Sequence, residues 1–248
     1  MKLIPNFCVD LTIHDVLYVS YLVPLSRVRA LIPANLDPAT VSDGNVFVSA
    51  VALRNTHVRL SGLPFIDFSY YQINLRTYVV DPGTRKPGIL FLRSGVTSKL
   101  IAVFTNLMKI PWEDVQFAIQ ASKDNSGRYV KYSATGTWGE KIYIEAQEES
   151  QETKSILPFE NREKVFEYIT GGTIGFFALP GELLRFEVSH SVIEPHFGKI
   201  THLSLPILAS SGILTEEEIH SPHNVLLAPY GRFRVFLPPV HMKVPAFH

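Results

Sequence analysis

Residues 70–80 alternate between two kinds of side chain, and this alternation constrains the fold more than any other part of the chain. In a β-strand, successive side chains point to opposite faces. One face of this predicted strand would carry four polar side chains, those of Gln72, Asn74, Arg76 and Tyr78. The other face would carry Ile73, Leu75, Thr77 and Val79. A guanidinium beside two amides and a phenol either meets water or lines a cavity that binds a polar ligand.

The composition narrows the classes of protein to which the chain can belong. Of its 248 residues, 46% are hydrophobic and 19% are charged, which is enough apolar material for a large core and too little charge for disorder. The formal net charge is zero, so we expect neither nucleic acid nor an anionic membrane as a partner.

The single cysteine excludes an intramolecular disulfide and is typical of a reducing compartment. The chain opens without a sustained apolar run, so we expect no signal peptide, and no segment reaches the ~18 apolar residues of a membrane span. We therefore expect a cytoplasmic protein.

The order of apolar runs and turns predicts many strands and few helices. Strands are predicted at 14–23, 46–58, 70–80, 88–93, three times between 115 and 146, and at 183–193, 200–205 and 231–237. Helices are predicted at 26–32, 97–109 and 160–168. Without a linker or an internal repeat, the pattern indicates one domain over residues 1–248, of the α+β class but mainly β, built on a curled antiparallel sheet with helices outside it.

The predicted helix at 97–109 is amphipathic. Apolar residues recur on it at helical spacing, at Leu100, Ile101, Phe104, Leu107 and Met108. We expect this apolar face to pack on the sheet.

Three groups of residues, in this order along the chain, resemble the acetoacetate-decarboxylase-like superfamily, and in particular its uncharacterised YqjF-like branch. The first is the segment Val-Arg-Ala-Leu-Ile-Pro-Ala-Asn-Leu at 28–36. The second is Asn-Leu-Arg-Thr-Tyr-Val at 74–79, followed by 88–92 and Ile-Pro-Trp at 110–112. The third comprises 168–170, 188–190, 194–195 and the strand segment Gly-Arg-Phe-Arg-Val at 231–235.

The resemblance implies a closed or nearly closed antiparallel β-barrel with its site inside and, since homo-oligomers are common in the superfamily, a homo-oligomer. Decarboxylases of the superfamily form a Schiff base through a lysine just after a proline at a helix end, whereas here Pro111 is followed by Trp112. Gln72 stands where they place a glutamate, and His14 where they place an arginine. The resemblance thus implies a retained cavity without the parent Schiff-base chemistry.

We therefore predict that the barrel binds a small organic ligand, a carboxylate or a keto acid. Arg76 would anchor the anionic group, Gln72 and Asn74 would orient the ligand, and Trp112 and Tyr18 would form apolar wall. We predict neither a cofactor nor a metal ion. If the protein is an enzyme, the acid–base candidates are His14 and Tyr78, acting on a keto acid.

The sequence leaves alternatives open. Arg76 could instead be structural, paired with an acid such as Asp67 or Glu113. A displaced lysine, Lys109 or Lys99, could restore decarboxylase or other lyase chemistry. A barrel filled with side chains would indicate a structural or interaction role.

Overall fold

The computed structural model describes residues 7–149 and 156–243, with the backbone alone for 63–66. The first six residues, part of the segment in which we expect no signal peptide, lie outside this description. Among the described residues, no helix has both the length and the apolar character that a bilayer crossing requires.

Strands dominate the described part of the chain. They are β1 (Phe7–Pro24), β2 (Asp37–Pro38), β3 (Asn45–Leu60), β4 (Leu63–Val80), β5 (Pro87–Val96), β6 (Trp112–Asp114), β7 (Gln116–Lys123), β8 (Tyr129–Trp138), β9 (Glu140–Glu148), β10 (Ile174–Leu179), β11 (Glu182–His190), β12 (His196–Ser204), β13 (Asn224–Leu237) and β14 (Val240–Lys243). The helices are α1 (Leu25–Val28), which continues as a 3-10 turn (Arg29–Leu31), α2 (Lys99–Leu107), α3 (Arg162–Thr170), α4 (Pro206–Ser210) and α5 (Glu216–Ile219).

The predicted strands and helices are present, with bounds that differ by several residues at their ends. The sheet is curled, as predicted, and seven of its strands close into a ring in the order β1-β3-β4-β5-β10-β11-β13, because β11 pairs with both β10 and β13. Neighbouring ring strands are antiparallel except β5 and β10, which are parallel. The chain between those two strands is long enough for the crossover that parallel strands need.

A second layer covers part of the outside of the ring. The sheet continues from β13 through β12, β9 and β8 to β7. Side chains of this layer, such as Tyr132 and Ile144, share one apolar core with Ile73 and Leu75 of β4. The apolar face of β4 is therefore buried on the outside of the ring.

Two helices border the interior of the ring at opposite ends. Helix α3 begins at the Asn161 cap, whose side chain accepts a hydrogen bond from the Lys164 amide, and buries Val165 and Ile169 against the ring. Helix α2 borders the other end, where Ala102 packs with Tyr70 of β4.

The expected packing of the α2 apolar face on the sheet is confirmed for Ile101 and Met108, which pack against residues of the sheet, and is wrong for the rest of that face. Within α2 only Ala102 and Thr105 are buried, while the side chains of Leu100 and Leu107 are 72% and 79% exposed. The helix borders the cavity, so the exposed part of its apolar face meets a hollow and solvent instead of a packed sheet.

Candidate functional site

The interior of the ring holds a cavity of about 580 Å³. Strands β1, β3, β4, β5, β10, β11 and β13 and helix α2 contribute to its wall, which is mostly apolar. The polar residues on its wall are Tyr18, Asn55, Tyr70, Gln72, Asn74, Arg76, Thr105, Trp112 and Thr170. A mainly apolar hollow with a few convergent polar groups is the usual form of a small-molecule site.

The polar face of β4 points into this cavity. Gln72, Asn74 and Arg76 line it in succession, and Tyr78 lies further along the same face, beyond the lining residues. All four side chains are buried, as are the apolar residues of the opposite face. The strand is therefore enclosed on both sides, and its polar face meets the hollow.

Arg76 is fixed at the α3 end of the cavity. Its Nη2 donates to the carbonyl oxygen of Ile169, at 2.6 Å, and to the hydroxyl of Tyr78, at 3.3 Å. Ile169 belongs to the last turn of α3, where the unpaired carbonyls favour a cation. The guanidinium carbon also lies 5.3 Å from the ring centre of Tyr18.

No carboxylate within the described residues forms an ion pair with Arg76. The acids that sequence reasoning offered as partners are engaged elsewhere: Asp67 pairs with Arg59 at 2.8 Å, and Glu113 pairs with Arg93. Arg76 is only 8% exposed, and its buried Nε has no hydrogen-bond partner. No other charged side chain is found among the described residues of the lining, so the cavity carries one uncompensated positive charge.

An amide ladder runs along the wall beside Arg76. The Asn55 Nδ2 donates to Gln72 Oε1 at 2.9 Å, and Gln72 Nε2 donates to Asn74 Oδ1 at 3.0 Å. Because each amide orients the next, the ladder holds the inner faces of β3 and β4 in a fixed pattern of donors and acceptors.

Further donors come from aromatic side chains. The indole Nε1 of Trp112 is buried without a partner and belongs to a residue of the lining. Burial raises the pKa of Tyr18 to about 12, although the nearby Arg76 cation partly offsets the shift. Burial also raises the pKa of Tyr70. Both phenols are therefore neutral hydrogen-bond donors near neutral pH.

Five of the seven site residues predicted from the sequence lie together on the wall of the cavity; Tyr78 and His14 do not. The Tyr78 hydroxyl contacts Arg76 and also forms a hydrogen bond with Ser49 Oγ at 2.9 Å, so it helps to hold the guanidinium in place.

His14 lies outside the lining, although Tyr18 of the same strand is part of it. The register of β1 against β3 shifts between His14 and Leu17, where Asp15 has a φ of 49°. Ile13 lies inside before this bulge and Tyr18 inside after it, so the bulge changes which parity faces inward. Burial and Arg54 lower the pKa of His14.

No lysine of the described chain belongs to the cavity lining. The Lys109 ammonium lies 3.6 Å from a carboxylate oxygen of Glu182, on a largely exposed side chain, and Lys99 is exposed. The described residues also contain no group of three or more His, Cys, Asp or Glu side chains placed to hold a metal ion.

Sequence reasoning missed four polar residues of the wall, Asn55, Tyr70, Thr105 and Thr170. Tyr70 has the same parity as Gln72 on β4, so a longer reading of the alternation would have included it. Asn55 lies opposite Tyr70 on β3 and contacts Gln72, and nothing in the sequence alone indicates that pairing.

Solved structures share this fold at low sequence identity. The enduracididine biosynthesis enzyme MppR superposes with a TM-score of 0.61 at 13% identity, over 96% of this chain and 88% of MppR. An acetoacetate decarboxylase-like enzyme from Sphingomonas wittichii RW1 gives a TM-score of 0.59 at 12% identity, over 96% of this chain and 94% of that enzyme. Acetoacetate decarboxylase from Legionella pneumophila gives 0.55 at 12% identity, over 96% of this chain and 87% of that enzyme.

Sequence comparison identifies the family. The uncharacterized protein YqjF of Bacillus subtilis (strain 168) is 38% identical over 82 residues, which span 32% of this chain and only 33% of YqjF. Residues 10–230 match the family DUF2071, described as an uncharacterized conserved protein. Because this match covers most of the sequence, the chain belongs to the DUF2071 family.

Proposed function

We propose that the cavity binds an organic carboxylate, keto acids included, and that Arg76 contacts its anionic group. The observation that supports this most directly is the uncompensated charge of Arg76 on the cavity wall. A buried cation without a counter-ion is costly, and a bound carboxylate would remove that cost through charge-assisted hydrogen bonds.

The neighbouring polar groups suit the rest of such a ligand. The Trp112 indole N–H lacks a partner and lies on the Tyr70 side of the cavity, with the two rings 6.4 Å apart, so it would donate to a keto or hydroxyl oxygen remote from the carboxylate. Gln72 and Asn74 would fix the orientation of the ligand, and Tyr18 would contribute both ring surface and a phenol. MppR has been solved in complex with pyruvate, which is a keto acid.

The proposal gives the two acid–base candidates different roles. Tyr78 contacts Arg76 but does not line the cavity, so it acts through Arg76 as a positioning residue. His14 lies outside the lining and has no role in binding within the cavity. Turnover of a bound keto acid would have to proceed without the parent Schiff base, since neither Lys109 nor Lys99 belongs to the lining.

A thermal-shift scan tests the proposal. Unsubstituted protein is screened with acetate, pyruvate, acetoacetate and longer carboxylates, and then Arg76→Met is screened with each active compound. We expect carboxylates to raise the melting temperature of the unsubstituted protein and to lose that effect in Arg76→Met. Arg234→Met is the matched control, because Arg234 pairs with Asp10 on an exposed surface. The proposal is refuted if no carboxylate raises the melting temperature, or if Arg76→Met responds as Arg234→Met does.

Borohydride reduction in the presence of acetoacetate tests the alternative of a displaced lysine. We expect no adduct by mass spectrometry, because Lys109 and Lys99 do not line the cavity. A reduced adduct on either lysine would replace our proposal with lyase chemistry. The other alternative, a filled interior, conflicts with the volume of about 580 Å³ beside Gln72 and Arg76.

A further inference from the structure

The inner face of β4 changes in polarity along its length. From the α3 end towards the α2 end, the lining side chains are a guanidinium, two amides, a phenol and a phenyl ring, those of Arg76, Asn74, Gln72, Tyr70 and Phe68. Eight residue steps separate the first from the last, which is about 26 Å along a strand at ~3.3 Å per residue. The lining is therefore cationic at one end and apolar at the other.

The apolar end extends onto α2. The lining includes four exposed side chains of this helix, those of Leu100, Val103, Phe104 and Leu107. Exposed apolar side chains are ordinary when they are scattered, but here four lie together at the end of a hollow. Part of this surface would leave water if a ligand extended to that end of the cavity.

A short keto acid does not use most of this site. Pockets of 300–1,000 Å³ typically enclose drug-sized ligands. Pyruvate could occupy the region of Arg76 and the amides, but the surface from Tyr70 to α2 would stay unpartnered. A ligand that is polar throughout would gain nothing from that surface.

We infer that the natural ligand is an amphipathic carboxylate whose charged head lies at Arg76 and whose extended apolar chain runs along β4 towards Phe68 and α2. The inference rests on the proposed function, since it keeps Arg76 as the carboxylate contact, and it adds the class of ligand. Hydrophobic burial of the chain would supply most of the affinity, and Arg76 would set its direction.

Calorimetry with a homologous series tests the inference. Linear carboxylates from acetate to dodecanoate are titrated below their micelle concentrations, beside alcohols of the same chain lengths. We expect the dissociation constant to fall about fourfold per added methylene until the chain fills the cavity. The alcohols should bind more weakly than the acids, and Arg76→Met should remove the difference between the two series.

A second pair of variants tests where the chain lies. Val103→Asp places a carboxylate at the α2 end, on a residue that is exposed and tolerates a polar side chain. We expect it to weaken the long carboxylates at least tenfold and to leave the short ones unchanged. Val192→Asp is the control, because Val192 is also exposed, at 85% against 61% for Val103, but lies outside the lining of this cavity.

The outcomes separate the inference from the function on which it rests. If short carboxylates bind through Arg76 without a gain per methylene, the function stands and the amphipathic ligand is refuted. If acids and alcohols bind equally and Arg76→Met changes nothing, the carboxylate function is refuted and with it the inference. A normal gain per methylene in Val103→Asp would refute the placement of the chain beside α2.

Discussion

Replacing Arg76 by methionine in the absence of ligand separates a binding role from a structural one. Arg76 makes one strong hydrogen bond to the backbone, from Nη2 to the Ile169 carbonyl at 2.6 Å. If the residue serves the fold, its loss should be severely destabilising. If it serves a ligand, the free protein should tolerate the change.

The expected change in the free energy of unfolding on Arg76→Met is the sum of opposing contributions. The substitution removes a hydrogen bond to a charged group, worth about 1.5–3 kcal/mol. It also removes the desolvation cost of a buried cation, which is several kcal/mol in a dry interior and less beside an open hollow. Methionine adds apolar contact with the wall of the cavity. We expect these terms to cancel, so that the free energy of unfolding changes by no more than about 1 kcal/mol.

Arg185→Met is the control, because Arg185 does have a buried acidic partner. Its Nη2 lies 3.1 Å from Asp81, a side chain that is only 1% exposed. Removing that arginine leaves a buried carboxylate unpaired and should cost about 3–5 kcal/mol. Urea denaturation with linear extrapolation measures both variants, provided that the slope is unchanged. A loss in Arg76→Met as large as that in Arg185→Met would refute our reasoning.

Three further predictions concern the core and the site. Burial favours a raised pKa for Asp81, but the hydrogen bonds from Arg185 outweigh burial, so the pKa is lowered. The stability that Asp81 contributes is therefore present above the pKa of the unfolded chain, about 3.9, and is lost as the pH falls through the pKa of the folded protein. Urea midpoints measured from pH 7 to pH 2 should show that loss, and it should be smaller in Asp81→Asn. Gly136→Ala should destabilise the protein by more than about 2 kcal/mol, because a Cβ there overlaps the β7 backbone. Gly83→Ala is the control and should be neutral, since a Cβ there meets no atom closer than 4.0 Å. Equal urea midpoints for the two variants would contradict this prediction. Trp112→Phe keeps the aromatic wall beside Tyr70 but removes an unpaired N–H. It should weaken the binding of a carboxylate that carries a keto group along its chain, remote from the carboxylate, and leave the affinity for the same carboxylate without that group unchanged; calorimetry measures both.

The strands and the two faces of β4 could be predicted because they depend on neighbouring residues. Period-two alternation places Gln72 and Arg76 on one face in any sheet. Whether that face is enclosed depends on ring closure, in which Val188 of β11 pairs with Val235 of β13. Such a long-range pairing leaves no local pattern in the sequence.

The two errors of placement also have physical causes. His14 and Tyr18 have the same parity and were expected on one wall, but the bulge at Asp15 separates them, and sequence alone seldom reveals a bulge. For α2, periodicity correctly grouped Leu100 with Leu107. Periodicity states which residues share a face, not what that face meets.

Two features of this chain are not explained by folding, and both belong to the wall of one cavity. Folding gains little from a buried guanidinium without a carboxylate, and it gains little from the leucines of α2 that remain in water. Proteins retain such costs where function requires them. An apolar ligand would account for α2 but not for Arg76, and a small anion would account for Arg76 but not for α2. A carboxylate with an apolar chain accounts for both, because its two ends match the two ends of the lining.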